Sequence, residues 1–406
     1  MSLLFSPIMI GDMEIKNRFV ASATYEGMAL ETGEVTERFI KRYRTIAKGE
    51  VGLIITGMMA VKPLGRGLRY QAGIQSDDMI PGLKRLTDAV HEEGGKIAFQ
   101  LDHAGRQSSK ELIGETPMGP SSTVRDPVYF FKPRAMTEGD IEETINAFST
   151  AAGRAFEAGA DAIQIHAAHG WLINQFLSPF FNRRKDAWGG SDENRFRFLR
   201  EIILKIRETM PEGIPILVKM NANDFTPREG ITPSLAAKYA GWLAELGIDA
   251  LEISCGTLFS YMNMCRGDVP VNELVQGLPA WKKPVGRIVV GRLVGKYDLE
   301  EGYNLESAKV IKPVIGDIPL ILVGGLRRRA HMEKILQKNH ADLISMSRPF
   351  IREPLIVKKF REGTADTVSC VSCNRCFAGI NSNLPTLCYY NGFPATKKRN
   401  RIASKR

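Results

Sequence analysis

Long apolar runs are missing from this chain of 406 residues, and none approaches the length of a membrane-spanning helix. The N-terminus lacks the charged head and small-residue cleavage site of a secretory leader, so the chain reads as cytoplasmic. No GxGxxG opens a first strand–turn–helix unit, which counts against an open, doubly wound dinucleotide-binding sheet. Cysteine is scarce, with six in all, and their clustering rules out a disulfide framework. Acidic residues run short as well: 45 face 55 lysines and arginines, for a formal charge of +10. Six of those ten charges sit at Lys397, Lys398, Arg399, Arg401, Lys405 and Arg406, leaving a body of only +4. Such an end reads as a solvated basic tail, with neither nucleic acid nor membrane as partner, and a modestly basic body suits phosphate-bearing ligands.

What is abundant is alternation. Short apolar or β-branched runs recur at Arg18–Ala23, Gly52–Met58, Lys96–Leu101, Ala160–His166, Ile214–Met220, Ala250–Ser254, Pro319–Val323 and Leu343–Met346. Amphipathic stretches separate them at Thr36–Lys48, Pro81–Glu93, Glu138–Ala158, Glu193–Thr209, Pro233–Leu246, Arg328–Lys338 and Pro354–Arg361. Eight strands in this rhythm predict an α/β protein, a (β/α)8 TIM barrel over residues 1–362. Residues 363–406 form a short cysteine-containing appendage ending in the tail. Two inserts, Glu111–Arg134 and Phe259–Tyr303, leave strand C-termini and read as lids over the mouth.

His166 and His169 close the fourth strand, where a barrel keeps its chemistry, and two imidazoles at this spacing can hold one oxygen from two directions. After strands seven and eight come Gly324-Gly325 and Ser345-Met346-Ser347-Arg348. Glycine lets backbone N–H groups approach an anion and Arg348 adds a fixed cation, as a phosphate site requires.

Phe5-Ser-Pro-Ile8 with Ile15-Lys-Asn-Arg18, the Gln100-Leu-Asp-His-Ala-Gly-Arg106 block, the histidine segment and the two phosphate loops occur in unbroken order over residues 1 to 362. Together they resemble the old yellow enzyme family of FMN-dependent oxidoreductases. The resemblance implies FMN across the barrel mouth, flanked by Ser22, Ala23 and Thr24, with Gly57 and Gln100 on its pyrimidine ring. It implies Lys219 as the cation near flavin N1 and O2, and Gly324, Gly325, Ser347 and Arg348 on the phosphate. His166 and His169 would grip a substrate carbonyl oxygen while the β-carbon of an activated C=C takes hydride, NAD(P)H being the reductant.

One position departs from the family. Many relatives carry a proton-donating tyrosine two residues after the second histidine; here Trp171 stands, and an indole N–H is a very poor acid. Proton delivery then falls to Tyr25 or to water, or the half-reaction on ordinary enones is slow; the plain alternative for Tyr25 is an aromatic that packs near the flavin.

Cys370, Cys373, Cys376 and Cys388 form C-x2-C-x2-C-x11-C, a spacing able to hold a [4Fe–4S] cluster. Placed after an FMN barrel it is similar to the 2,4-dienoyl-CoA reductase and trimethylamine dehydrogenase branches. Zinc and a loop of free thiols stay open as alternatives. The leading expectation is an ene-reductase acting on an unsaturated carbonyl or thioester, in a homo-oligomer. Its rivals are an amine or other C–H dehydrogenase passing electrons to a protein partner, and a non-catalytic flavin-binding subunit. A barrel aldolase or isomerase is disfavoured because no carboxylate base is evident on the pocket strands.

Overall fold

A computed structural model describes residues 2–123, 125, 131–260 and 262–394. The basic tail at 397–406 and part of the first insert lie outside them. Eight parallel strands make the centre: β1 (Phe19–Ala21), β2 (Leu53–Ile55), β3 (Ile97–Asp102), β4 (Ala162–Ala167), β5 (Ile216–Asn223), β6 (Ala250–Cys255), β7 (Leu320–Val323) and β8 (Leu343–Met346). Neighbours in sequence are neighbours in the sheet, and β8 pairs with β1 through Ser345 and Val20, so the barrel closes and has no edges. Each expected strand is present, shifted by a few residues at its ends.

The helices α1 (Glu37–Ala47), α2 (Ile80–His91), α3 (Glu138–Glu157), α4 (Asp192–Thr209), α5 (Pro233–Glu245), α6 (Leu305–Ile311), α7 (Arg329–Gln337) and α8 (Ile356–Glu362) follow the strands in turn. Caps set several starts: Thr36 and Ser191 each accept a backbone N–H of the first turn, and Thr137 and Asp140 form a reciprocal capping box on α3. The sequence reading misses α6, which is short and runs directly into Lys312-Pro313.

Alternation along the strands sorts side chains into two cores. Phe99, Ile163, Ile165, Val218, Ile253, Leu322 and their equivalents face the helices. Val20, Leu53, Ile55, Ala98, Ala162, Leu217, Ala250, Ile321 and Leu343 face inward and meet Ile10, Met13 and Ile15. Those last three belong to an N-terminal hairpin, Ile8–Ile10 against Met13–Ile15. Its turn glycine, Gly11, abuts Asp249 just before β6, which seats the hairpin at the N-terminal end of the barrel as an apolar plug. Two residues further along six of the eight strands the inward positions turn polar, and there the site begins.

Candidate active site

The inward positions above the apolar layer are Ser22, Gln100, Gln164, Lys219, Glu252 and Ser345, all buried. Parallel registry places Lys219 beside His166 on β4 and beside Glu252 on β6. Lys219 Nζ donates to Ser22 Oγ at 2.8 Å and lies 3.2 Å from Glu252 Oε1. The Glu252 carboxylate also accepts from Ser22 (2.7 Å), Ser345 (2.9 Å) and Gln164 Nε2 (2.9 Å), while Gln100 Nε2 donates to Gln164 Oε1 at 2.7 Å. Burial opposes ionisation of Glu252, but the Lys219 ammonium and these three donors outweigh it and hold its carboxyl below the usual range. The result is a hydrogen-bonded floor across the barrel, built on one buried ion pair.

The two histidines stand on this floor. Their rings meet edge to face at 5.2 Å between centroids. His169 adopts φ +60°, a strained left-handed conformation for a non-glycine residue. Three contacts impose it: its N–H donates to Asn221 Oδ1 at 3.1 Å, its carbonyl accepts from Gln107 Nε2 at 2.8 Å, and its Nε2 meets Ser254 Oγ at 2.7 Å. His166 Nδ1 is buried with no hydrogen-bond partner. Burial, with the charges at His169 and Lys219, drives the His166 pKa well below its usual value; burial and Lys219 push His169 down to about 3. Near neutral pH both rings are therefore neutral, and each can donate a single N–H.

Trp171 lies beside this pair, its ring centroid 6.2 Å from that of His166. The ring rests on Gly67 so closely that a Cβ there would fall 2.4 Å from it. Tyr25 follows β1, is buried, and lies within electrostatic reach of Arg66. Arg106 is buried with its guanidinium over the rings of Phe181 and Phe259, at 5.5 and 5.3 Å, which pins the start of the second insert to the mouth.

At the ends of β7 and β8 a cavity of about 140 Å³ is lined by Thr24, Tyr303, Gly325, Ser347, Arg348 and Cys376, among others. Thr24 Oγ1 and Ser347 Oγ are 2.7 Å apart and join the ends of β1 and β8. Gly324 has φ +151° and packs against Asn304, and Gly325 has φ +66°. Arg348 donates to the Arg266 carbonyl (2.8 Å) and to Asn374 Oδ1 (2.6 Å), linking barrel, insert and thiol segment. Gly57 is placed differently from the rest: its N–H turns to Glu26 Oε1 at 2.8 Å, leaving only its carbonyl for a ligand.

Cys370, Cys373, Cys376 and Cys388 line one smaller cavity together with Arg348. Among the described residues no three of His, Cys, Asp or Glu gather closely enough to hold a single metal ion. A tetrahedral zinc would need thiolates about 3.8 Å apart, given its bond length.

The pocket strands do carry two buried carboxylates, Glu252 and Asp102. Glu252 is committed to Lys219, and burial lifts Asp102 well above the usual carboxyl range, so neither is poised as a free base. Missed were Gln164, Asn221 and Ser254, of which counting in twos from His166 or Lys219 along the strands reaches Gln164 and Asn221, while Ser345, read as part of a phosphate loop, donates to Glu252 in the floor instead.

A family model described as the NADH:flavin oxidoreductase / NADH oxidase family matches residues 3–266 and 295–367. The NADH oxidase of Thermoanaerobacter brockii is 35% identical over 395 residues, covering 96% of this chain and 56% of that relative. A 2-naphthoyl-CoA reductase structure superposes with TM-score 0.83 at 27% identity, over 95% of this chain and 56% of the other. An old yellow enzyme homologue from Zymomonas mobilis does so with TM-score 0.72 at 26% identity, over 91% and 95%. The chain thus spans a little over half the length of the first two relatives. With its closed barrel, its two imidazoles above a buried lysine and both matched segments in order, this chain belongs to the NADH:flavin oxidoreductase / NADH oxidase family.

Proposed function

We propose that the chain binds FMN across the barrel mouth and, with NAD(P)H as reductant, reduces an α,β-unsaturated carbonyl or thioester. Bound FMN supplies reversible hydride exchange at N5. Ser22, Ala23 and Thr24 flank the ring, Gln100 and Lys219 meet its pyrimidine edge, and the cavity at Gly325, Ser347 and Arg348 takes the phosphate, with Gly324 shaping the turn. Gly57 contributes its carbonyl and its fit against Glu26.

The observation that carries this reading is the unpartnered Nδ1 of buried His166 beside His169. Buried polar atoms without a partner are rare, and one that points into a site calls for a ligand. His169 Nε2 and Ser254 Oγ share a hydrogen bond at 2.7 Å; in the tautomer where the hydroxyl donates, the ring's own proton is on Nδ1 and both neutral imidazoles can donate to one carbonyl oxygen. Donors fixed in advance stabilise the negative charge that grows on this oxygen as the β-carbon is reduced. Trp171 cannot protonate the α-carbon, and we assign that proton to Tyr25.

Anaerobically purified protein should show a flavin spectrum that NADH or NADPH bleaches and an enone restores. Replacing His166 or His169 with Asn should leave FMN bound and slow the restoration by roughly 10²–10³-fold. Tyr25→Phe should slow the same half-reaction alone. Protein that neither carries FMN nor takes it up would sink the reading.

The shared thiol cavity favours a second reading, in which an amine or other C–H donor reduces the flavin and electrons leave to a partner protein. Cys370, Cys373, Cys376 and Cys388 would hold a [4Fe–4S] cluster, which supplies one-electron transfer. Bleaching by a simple amine rather than by NAD(P)H, with iron and acid-labile sulfide in the same sample, distinguishes it from the first.

A further inference from the structure

The second insert pins its start to the mouth, but its middle is bare. The helix Lys283–Gly291 has no buried residue. Along it and its flanks Trp281 (76%), Val285 (64%), Ile288 (60%), Val294 (58%) and Val289 (49%) are exposed. Trp281, Val285 and Ile288 recur at helical spacing and form one stripe. Around the stripe stand Lys282, Lys283, Arg287, Arg292 and Lys296, and no acidic residue occurs between Glu273 and Asp298. None of the five cations has an ion-pair partner among the described residues, where Glu300 and Glu273 pair instead with Arg266 and Arg375. The stretch from 267 to 294 is also the part of the barrel region that neither matched family segment covers.

Charge decides what can cover this face. Residues 395–406 carry six cations of their own, so that segment is repelled. A second copy docked stripe to stripe would set five cations against five. An anionic surface meets both halves of the chemistry, since a helix with exposed Trp, Val and Ile flanked by Lys and Arg is the composition that lies in a lipid interface. Lys282 Nζ, 4.9 Å from the Trp281 ring centroid, places a cation directly beside the indole, as at a headgroup boundary.

We infer that, contrary to the sequence expectation of no membrane partner, the stripe of Trp281, Val285 and Ile288 docks the protein reversibly on a bilayer of anionic lipid. The root of the insert is tied to the thiol segment through the Glu273–Arg375 pair at 3.0 Å and by Gly277 packed on Asn381, so docking orients the barrel as well as anchoring it. The inference stands on the insert alone and does not depend on FMN.

Flotation of the full chain with vesicles tests it. The chain should float with phosphatidylcholine–phosphatidylglycerol vesicles at low salt, stay down with phosphatidylcholine alone, and be released by salt. Trp281→Ser with Ile288→Ser should cut the partition coefficient at least about tenfold, because an indole and a butyl group leave the bilayer. Lys282→Glu with Lys283→Glu should cut it as well. Both pairs are exposed, so an unchanged melting temperature checks that the variants fold. Tryptophan fluorescence should shift to the blue on vesicle addition in the parent and not in Trp281→Phe. Failure to float, flotation untouched by the variants, or binding that vanishes only when 395–406 is removed overturns the inference. So does a solution dimer that the apolar variant dissociates.

Discussion

Glu252 makes Lys219 half of a buried pair, and this sets the sign of two substitutions. A carboxylate 3.2 Å from the ammonium weakens the positive potential that Lys219 projects on a ring above it. Glu252→Gln keeps the acceptor oxygen and removes the charge, so the midpoint potential of bound flavin should rise, by on the order of 30 mV if the change is worth 1.4 kcal/mol. Lys219→Met should lower it. Equal shifts in one direction, read by anaerobic dye-coupled titration, would show that the pair does not govern the ring. His166 and His169 stand out in the sequence as a pair at the end of an apolar run, whereas Lys219 enters only through the family resemblance. Glu252 was not legible, since its role exists only through the registry of β6 on β5, and that registry is fixed by closure of the whole barrel.

At the scale of elements, the recurrence of short apolar runs between amphipathic stretches placed all eight strands, while the loops between them stayed opaque. Nothing local in Arg66-Gly67-Leu68 announces that an indole from the β4 loop will lie on that glycine. Gly67→Ala puts a methyl where the Trp171 ring already is. Either the loop or the indole must move, so the variant should lose about 1–3 kcal/mol of stability. Because Trp171 adjoins His166, KM for an enone should change along with it, whereas a substitution on an open glycine such as Gly153 should leave KM alone. Thermal melting and steady-state kinetics on the two variants separate the cases. The second insert shows the same limit. Its place as an insert after the sixth strand was readable from its length, but that Phe259 would be clamped by Arg106 while Trp281 faced outward depends on contacts distant in sequence.

The whole molecule runs from an apolar plug at one end of the barrel to neutral imidazoles at the other, and this gradient carries a pH dependence. Burial pushes His103, like His169, down to about 3, with the Lys62 charge adding to the effect. Unfolded histidine titrates near 6.5, so from about pH 6.5 down to about 3 the unfolded chain binds protons that the folded chain refuses. The stabilisation is thus complete above pH 6.5 and is lost as the pH falls. Carboxyls held above their usual range, Glu26, Asp102 and Asp224, act in the opposite sense, taking up protons in the folded chain before the unfolded one. The net acid response of the parent is therefore a poor test, and a difference between two chains is a better one. His103→Gln removes one titrating ring and leaves those carboxyls in place. Measured by urea unfolding, the parent should lose about 2 kcal/mol relative to this variant between about pH 7 and pH 5, from one histidine at 1.36 kcal/mol per unit. Parallel stability curves for the two proteins would mean that His103 takes up its proton in the fold as readily as in water, and that the end of the barrel beside it is open to solvent rather than sealed.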